Sequence, residues 1–99
     1  MNYTLNMKLE WDEVKSEACY RERGFDFAYA ALVFADPDRI AHQDTRYIYG
    51  EDRYQLIGQI DGRLFVLVYT PRGDVVRIIS ARKANSREVK RYEDRSNED

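Results

Sequence analysis

The 99-residue chain has one cysteine, one histidine and two prolines. A lone Cys19 excludes an internal disulfide framework. A lone His42, with no Cys-x-x-Cys or His-x-x-x-His spacing, argues against a zinc site, and no metal or other cofactor is expected. No apolar run approaches the ~20 residues of a membrane span. No basic start leads into an apolar stretch, so a signal peptide is not expected either. These absences set the expectation of a soluble, cytoplasmic protein with no membrane partner. The net charge of −2 does not suit a general nucleic-acid coat protein. It leaves room for a local basic surface, because a sum hides its distribution.

What is present is aromatic and charged: 13% aromatic residues, eight of them tyrosines, and 34% charged. That is material for one core within a well-solvated surface, hence one domain over residues 1–99 with an ordered core at about 5–93. The chain is organised around residues 53–82, three β-rich runs separated by two turn signals. Asp61-Gly62 suits a two-residue hairpin, whose type I′ turn needs φ > 0 at both positions. Pro71-Arg72-Gly73 reads as a three-residue turn, with proline presetting φ and glycine taking the left-handed position.

Ahead of this meander, residues 1–4 are polar and expected to be mobile. Leu5, Met7, Leu9 and Trp11 alternate with polar residues, the pattern of a half-buried strand. Asp12 is placed to cap a helix over 13–23, with Val14 and Ala18 on its inner face and Gly24 as its stop. Asp26 caps a second helix to about Phe34, with Phe27, Ala30, Ala31 and Phe34 as its buried stripe. Pro37 ends it by biasing Asp36 away from helical geometry. Ile40, Ala41 and His42 suit a short strand, and 43–52 a polar and aromatic connector. Asn85 or Ser86 starts a last helix, with Val89 and Tyr92 as its apolar positions, and 95–99 reads as a frayed tail. The order is β-α-α-β-β-β-β-α, an α+β domain with a small antiparallel sheet covered by helices.

With those turns, Tyr54, Leu56, Phe65, Leu67, Tyr69 and Arg77 share one face, while Arg53, Ile57, Val66, Val68, Ile78 and Arg82 share the other. Arg77 therefore sits inside an apolar run. Burying an unpaired guanidinium costs several kcal/mol, so Arg77 is paired, at a cleft edge, or used. A structural salt bridge to Glu51, Asp52 or Glu93 competes with a functional role. Arg82 and Lys83 end the last strand, a rigid position with an exposed tip. Arg53 stands beside Glu51 and Asp52 and can pair with them. His42 reads as an exposed or locally bonded residue, and Cys19 as a small packed hydrophobe.

Several motifs occur in order: Leu-Glu-Trp-Asp at 9–12, Gly-x-x-Phe at 24–27 and Val-Phe-x-Asp-Pro at 33–37. The block Arg-x-x-x-Ile-Gly, Val-Tyr-Thr-x-Arg-Gly-Asp and Arg-Ile-Ile-Ser-Ala-Arg-x-Ala follows from Arg53 to Ala84. From about Met7 to Glu93 the chain resembles the BrnT toxins of bacterial type II toxin–antitoxin systems. The resemblance implies a RelE-like microbial ribonuclease fold and metal-independent RNA cleavage that arrests growth. It implies a BrnA-like antitoxin with a ribbon-helix-helix part, through which alone the pair would touch operator DNA. It departs from the family at Arg23 and Tyr47, where members commonly carry histidine, and at Cys19, where many carry asparagine. A weakened homologue that only binds antitoxin or RNA is the alternative.

RNA cleavage without a metal requires a base for the 2′-OH, an acid for the leaving 5′-oxygen, and stabilisation of the phosphorane. Arg53, Arg77 and Arg82, with Lys83, form the expected phosphate cluster, Arg82 foremost. Tyr69 and Glu51 are the candidates for the base, and Arg63 and Arg72 for further RNA contacts. The face assignment sets Arg77 opposite Arg53 and Arg82, so joint action requires a twist or a bulge. Ile57, Val66, Val68 and Ile78 are the apolar residues expected to meet the antitoxin.

Overall fold

A computed structural model describes residues 2–4, 7–45, 48 and 50–95. Leu5, Tyr47 and the tail from Ser96, on which expectations were placed above, lie outside the described residues. The strands are β1 (Asn2–Thr4), β2 (Met7–Trp11), β3 (Ile40–Gln43), β4 (Tyr54–Ile60), β5 (Arg63–Arg72) and β6 (Val75–Lys83). The helices are α1 (Glu13–Arg23), α2 (Phe27–Ala30), which tightens into a 3-10 turn over Ala31–Ala35, and α3 (Ser86–Asp94). From Met7 onward these elements make a small α+β domain, with a 3-10 turn between α2 and β3. Asn2–Thr4, expected to be mobile, instead pairs with β2 as an added strand.

Local signals set the element ends. The Asp12 carboxylate accepts the Val14 N–H at 2.9 Å, and Gly24 closes α1 at φ 85°. Asp26 accepts the Tyr29 N–H at 2.9 Å, and Asp36 before Pro37 is extended. Of the two expected starts of α3, Asn85 is the cap, and with Glu88 it forms a complete capping box. The inner face of α1 is Ser16 and Cys19 rather than Val14, which is 71% exposed. Ser16 tolerates burial because its hydroxyl accepts the Phe27 N–H at 3.0 Å and so helps start α2.

Among the described residues the strands form one sheet in the order β1-β2-β6-β5-β4-β3. It is mixed, not antiparallel: β2 runs parallel to β6, with Leu9 beside Val76 and Trp11 beside Ile78. Parallel neighbours need a long crossover, here everything between Trp11 and Val75. The two hairpins differ from each other. Asp61 and Gly62 adopt φ 51° and 82°, the expected type I′ turn. The second turn is two residues long, because β5 continues through Arg72, which pairs with Val75. A bulge then interrupts the ladder: Tyr69 faces Ile78, but Val68 faces Ser80, leaving Ile79 extra.

A one-residue change of register moves every side chain to the other face. The shorter turn therefore puts Val76 and Ile78 beneath the helices and turns Arg77 to the opposite side. The bulge restores the expected parity for Ala81 and Arg82. The main core lies on the helix-covered face, around Leu9, Cys19, Phe27, Val33, Leu56, Phe65, Leu67 and Ile78. α3 crosses the second face and seals a smaller cluster of Ile57, Val66 and Tyr92.

Gly58 lets the 3-10 turn sit close against the first face. A Cβ there would stand 3.0 Å from Val33 Cβ and 3.1 Å from Val33 O. Gly58→Ala is expected to destabilise the fold by about 1–3 kcal/mol, because the 3-10 turn must lift off the sheet. Thermal unfolding checks this: an unchanged midpoint would mean that the turn yields freely.

Candidate active site

The second sheet face is only partly covered by α3, and its register defines rows of side chains. Glu10 lies beside Arg77, and Arg77 opposite Thr70. Continuing the β4–β5 pairing one residue past Tyr54 places Arg53 opposite Thr70. The next row is His42, Gln55, Val68 and Ser80, and the third is Ile40, Ile57, Val66 and Arg82. Strands are about 4.8 Å apart, so Arg53 and Arg77 flank Thr70 with backbones roughly 10 Å from each other. The three arginines of the expected cluster thus share one face. The shortened turn and the bulge bring this about.

Their electrostatic settings differ. Arg77 meets Glu10 at 3.6 Å, with both side chains about a third exposed. Its carboxylate partner is Glu10, not Glu51, Asp52 or Glu93, because the insertion of β2 beside β6 brings Glu10 alongside. Arg53 Nε stands 3.6 Å from Glu51, whose other oxygen is 3.2 Å from Arg72. Arg82 is gripped more closely: its two terminal nitrogens donate to the two oxygens of Glu88, both at 2.7 Å. That fork holds the Glu88 carboxyl below the usual range, against the burial that pushes it up. A second acceptor role of Glu88, towards the Asn85 N–H at 2.9 Å, ties the fork to the cap of α3.

A groove of about 340 Å³ runs between the β3 end of this face and α3. His42, Gln55, Arg82, Arg87, Glu88 and Arg91 line it. His42 is exposed, as expected, but it shares the face with the arginines. Sequence reasoning passed over His42 because its stretch carries no catalytic motif, and over Arg87 and Arg91 because nothing local ties α3 to this face. The period-two placement of His42 on a short strand was the available signal.

Other expected site residues are elsewhere. Tyr69 is on the helix-covered face, stacked on Tyr54 at 5.6 Å and edge-on to Phe34 at 5.4 Å. Burial, then the neighbouring Tyr54, pushes its hydroxyl pKa up, so it is not a base for this site. Glu51 serves two arginines. Lys83 pairs with Phe65 and faces away from Arg82. Arg63 and Arg72 stand at opposite ends of β5 and share no site. Of the four apolar residues expected to meet the antitoxin, Ile57 and Val66 lie under α3 and Ile78 lies in the main core. Val68 alone stays half-buried on the open face. The chain's own helix supplies the cover that the sequence left open.

A family model described as ribonuclease toxin, BrnT, of type II toxin-antitoxin system matches residues 11–88, from the end of β2 to the first turn of α3. The chain belongs to the BrnT family. Membership makes it a toxin of a type II toxin–antitoxin system, with ribonuclease activity and an antitoxin as its partner. A search of curated proteins finds no match. The match covers most of the open face, including His42, Arg53, Arg77 and Arg82, while Arg91 lies beyond it. Among the described residues no helix is long and apolar enough to cross a membrane. Arg23 falls on the last turn of α1, in a groove on the other side of the sheet.

Proposed function

We propose that this BrnT-family chain cleaves RNA without a metal ion on the open face of its sheet, and that the cleavage arrests growth until a BrnA-like antitoxin neutralises it. The observation that carries this reading is the β6 bulge with its shortened turn, which gathers Arg53, Arg77, Arg82 and His42 on one side. Arg77 and Arg53 receive the scissile phosphate and stabilise the charge that builds on it, the task for which a planar, permanently charged fork is suited. His42 is the proton-transfer group, since an imidazole ring offers both an accepting and a donating nitrogen. Arg82, fixed by Glu88, positions the strand, and Arg87 and Arg91 extend the cationic wall along α3.

The mixed sheet, with α1 and α2 on one face and α3 across part of the other, supports a RelE-like arrangement. The antitoxin's ribbon-helix-helix part would contact operator DNA and carry the toxin with it. Half-buried Val68 is its apolar foothold on the open face. The alternative, a homologue that only binds, draws on Arg23 and Tyr47 standing where relatives carry histidine. Arg23 lies across the sheet from His42, so that replacement removes nothing from this face.

The purified chain is expected to cut RNA at the same rate with and without a chelator, and its induction is expected to stop growth unless the neighbouring open reading frame is co-expressed. Loss of cleavage in chelator would overturn the metal-free reading. Retained binding to the neighbour's product with no cleavage and no arrest would establish the binding-only alternative.

A further inference from the structure

Where β6 gives way to α3, the consecutive residues Arg82 and Lys83 face opposite sides of the sheet. On its side Lys83 lines a groove of about 460 Å³ with Tyr20, Arg23, Tyr29, Asp61 and Arg63. That volume is in the range of small-ligand sites. The floor is aromatic: Phe25 and Tyr29 meet Phe65 edge-on at 5.0 and 5.8 Å. Tyr20 is 61% exposed and makes no ring contact among the described residues. Three cations from three elements surround these rings. Among the described residues Arg63 and Lys83 make no ion pair, and Arg23 meets Glu22 only at 3.5 Å in solvent. The two acids of the groove serve their own chain. Asp26 caps α2, and Asp61 accepts the Tyr29 hydroxyl at 3.3 Å. In a chain of net charge −2 the groove thus holds three cations against two carboxylates, a small positive excess beside exposed aromatic surface.

We propose that this groove is a second contact for single-stranded RNA, apart from the cleaving face: a base stacks on Tyr20 while Arg63 and Lys83 hold the flanking phosphates. The proposal rests on the RNA-cleaving reading given above. Aromatic platforms flanked by cations hold single strands without reading their sequence. Because Arg82 and Lys83 are adjacent, a strand that rounds the end of β6 passes from the cleaving face to the groove by a short path. The groove therefore sets affinity and leaves the chemical step untouched.

Fluorescence anisotropy with an uncleavable 2′-O-methyl oligoribonucleotide of about 12 nucleotides tests this, since single-strand sites span about 4–16. The salt series compares the wild type with Arg63→Ala/Lys83→Ala and with Tyr20→Ala, all at exposed positions. The double variant is expected to bind about tenfold more weakly, with a salt slope shallower by about 1.4, at ~0.7 per lost phosphate contact. Tyr20→Ala is expected to weaken binding at every salt concentration without changing the slope. Single-turnover cleavage of saturating RNA should stay at the wild-type rate in both. If the wild type cleaves RNA and the variants bind it as the wild type does, the groove proposal fails and the cleaving reading stands. If the wild type neither binds nor cleaves RNA, the cleaving reading fails and this proposal with it. Variants that keep RNA affinity but lose antitoxin affinity would mark the groove as a protein interface and overturn the proposal.

Discussion

Arg77→Ala is expected to slow RNA cleavage by about 100-fold or more while the fold survives, because removing one preorganised charge donor from a transition state costs about 10²–10³ in rate. The structural loss should be small. Arg77 meets its one ion-pair partner among the described residues, Glu10, at 3.6 Å in a partly solvated setting. Such pairs contribute about 0–1 kcal/mol. Arg77→Lys keeps the charge but loses the planar fork, so it should recover only part of the rate. Arg82→Ala makes the informative contrast. It strips the fork from Glu88, whose side chain is only 8% exposed, and leaves that carboxylate to the Asn85 cap and the nearby charge of Arg91. The expected cost is about 2 kcal/mol of stability in addition to any loss of rate. Single-turnover cleavage together with urea unfolding separates the two. A wild-type rate in Arg77→Ala would remove Arg77 from the mechanism, and Arg82, the foremost residue on sequence grounds, would return to first place.

Asp36→Ala should be the most destabilising polar substitution in the described fold, by about 3 kcal/mol or more. One oxygen accepts the Tyr92 hydroxyl and the Gln59 N–H, both at 2.7 Å, and the other accepts the Asp38 N–H at 2.8 Å. The carboxylate thus ties the end of the 3-10 turn to β4 and to α3, and its removal orphans three donors. Arg95 reinforces the same corner, stacking 4.0 Å above the Tyr92 ring. Burial pushes the Asp36 carboxyl up, but the hydrogen bonds from Tyr92, Asp38 and Gln59, with Arg95 nearby, outweigh it and leave it below its ordinary value. A carboxyl depressed by folding binds fewer protons in the folded chain than in the unfolded one. Its contribution is therefore complete above the unfolded value of about 3.9 and is lost as pH falls through the folded value. Glu88 behaves in the same sense. Wild-type stability should thus be flat at neutral pH and fall in acid, and Asp36→Ala should fall less steeply. Tyr92→Phe removes one of the three bonds and should cost about 1 kcal/mol. A loss below about 1 kcal/mol in Asp36→Ala would show that the other contacts of α3, the Arg82–Glu88 fork among them, hold it without this carboxylate.

The sheet faces illustrate how legibility fails. Asp61-Gly62 was readable because the turn's two positive φ values act on two adjacent residues. Pro71-Arg72-Gly73 was misread by one residue, since proline and glycine suit turns of either length. That single residue decides whether Arg77 faces the helices or the open side of the sheet, and the bulge at Ile79 decides the side of Arg82. The buried side of α1 was misread for a related reason: Ser16 looks like a solvent residue until the Phe27 N–H gives its hydroxyl a partner. The mixed sheet was invisible because Leu9 meets Val76 across more than sixty residues of intervening chain.

The sequence by itself determined the helix ends, the strand runs, the first hairpin and the family, because caps, alternation and turn preferences act within a few residues and motifs keep their order. It also marked Arg77 as a residue in need of a reason. Tertiary structure decided which face each arginine takes, which carboxylate meets it, and that α3 covers Ile57 and Val66. Those outcomes depend on strand register and on distant pairing, where one residue more or less inverts a face and no local signal records it.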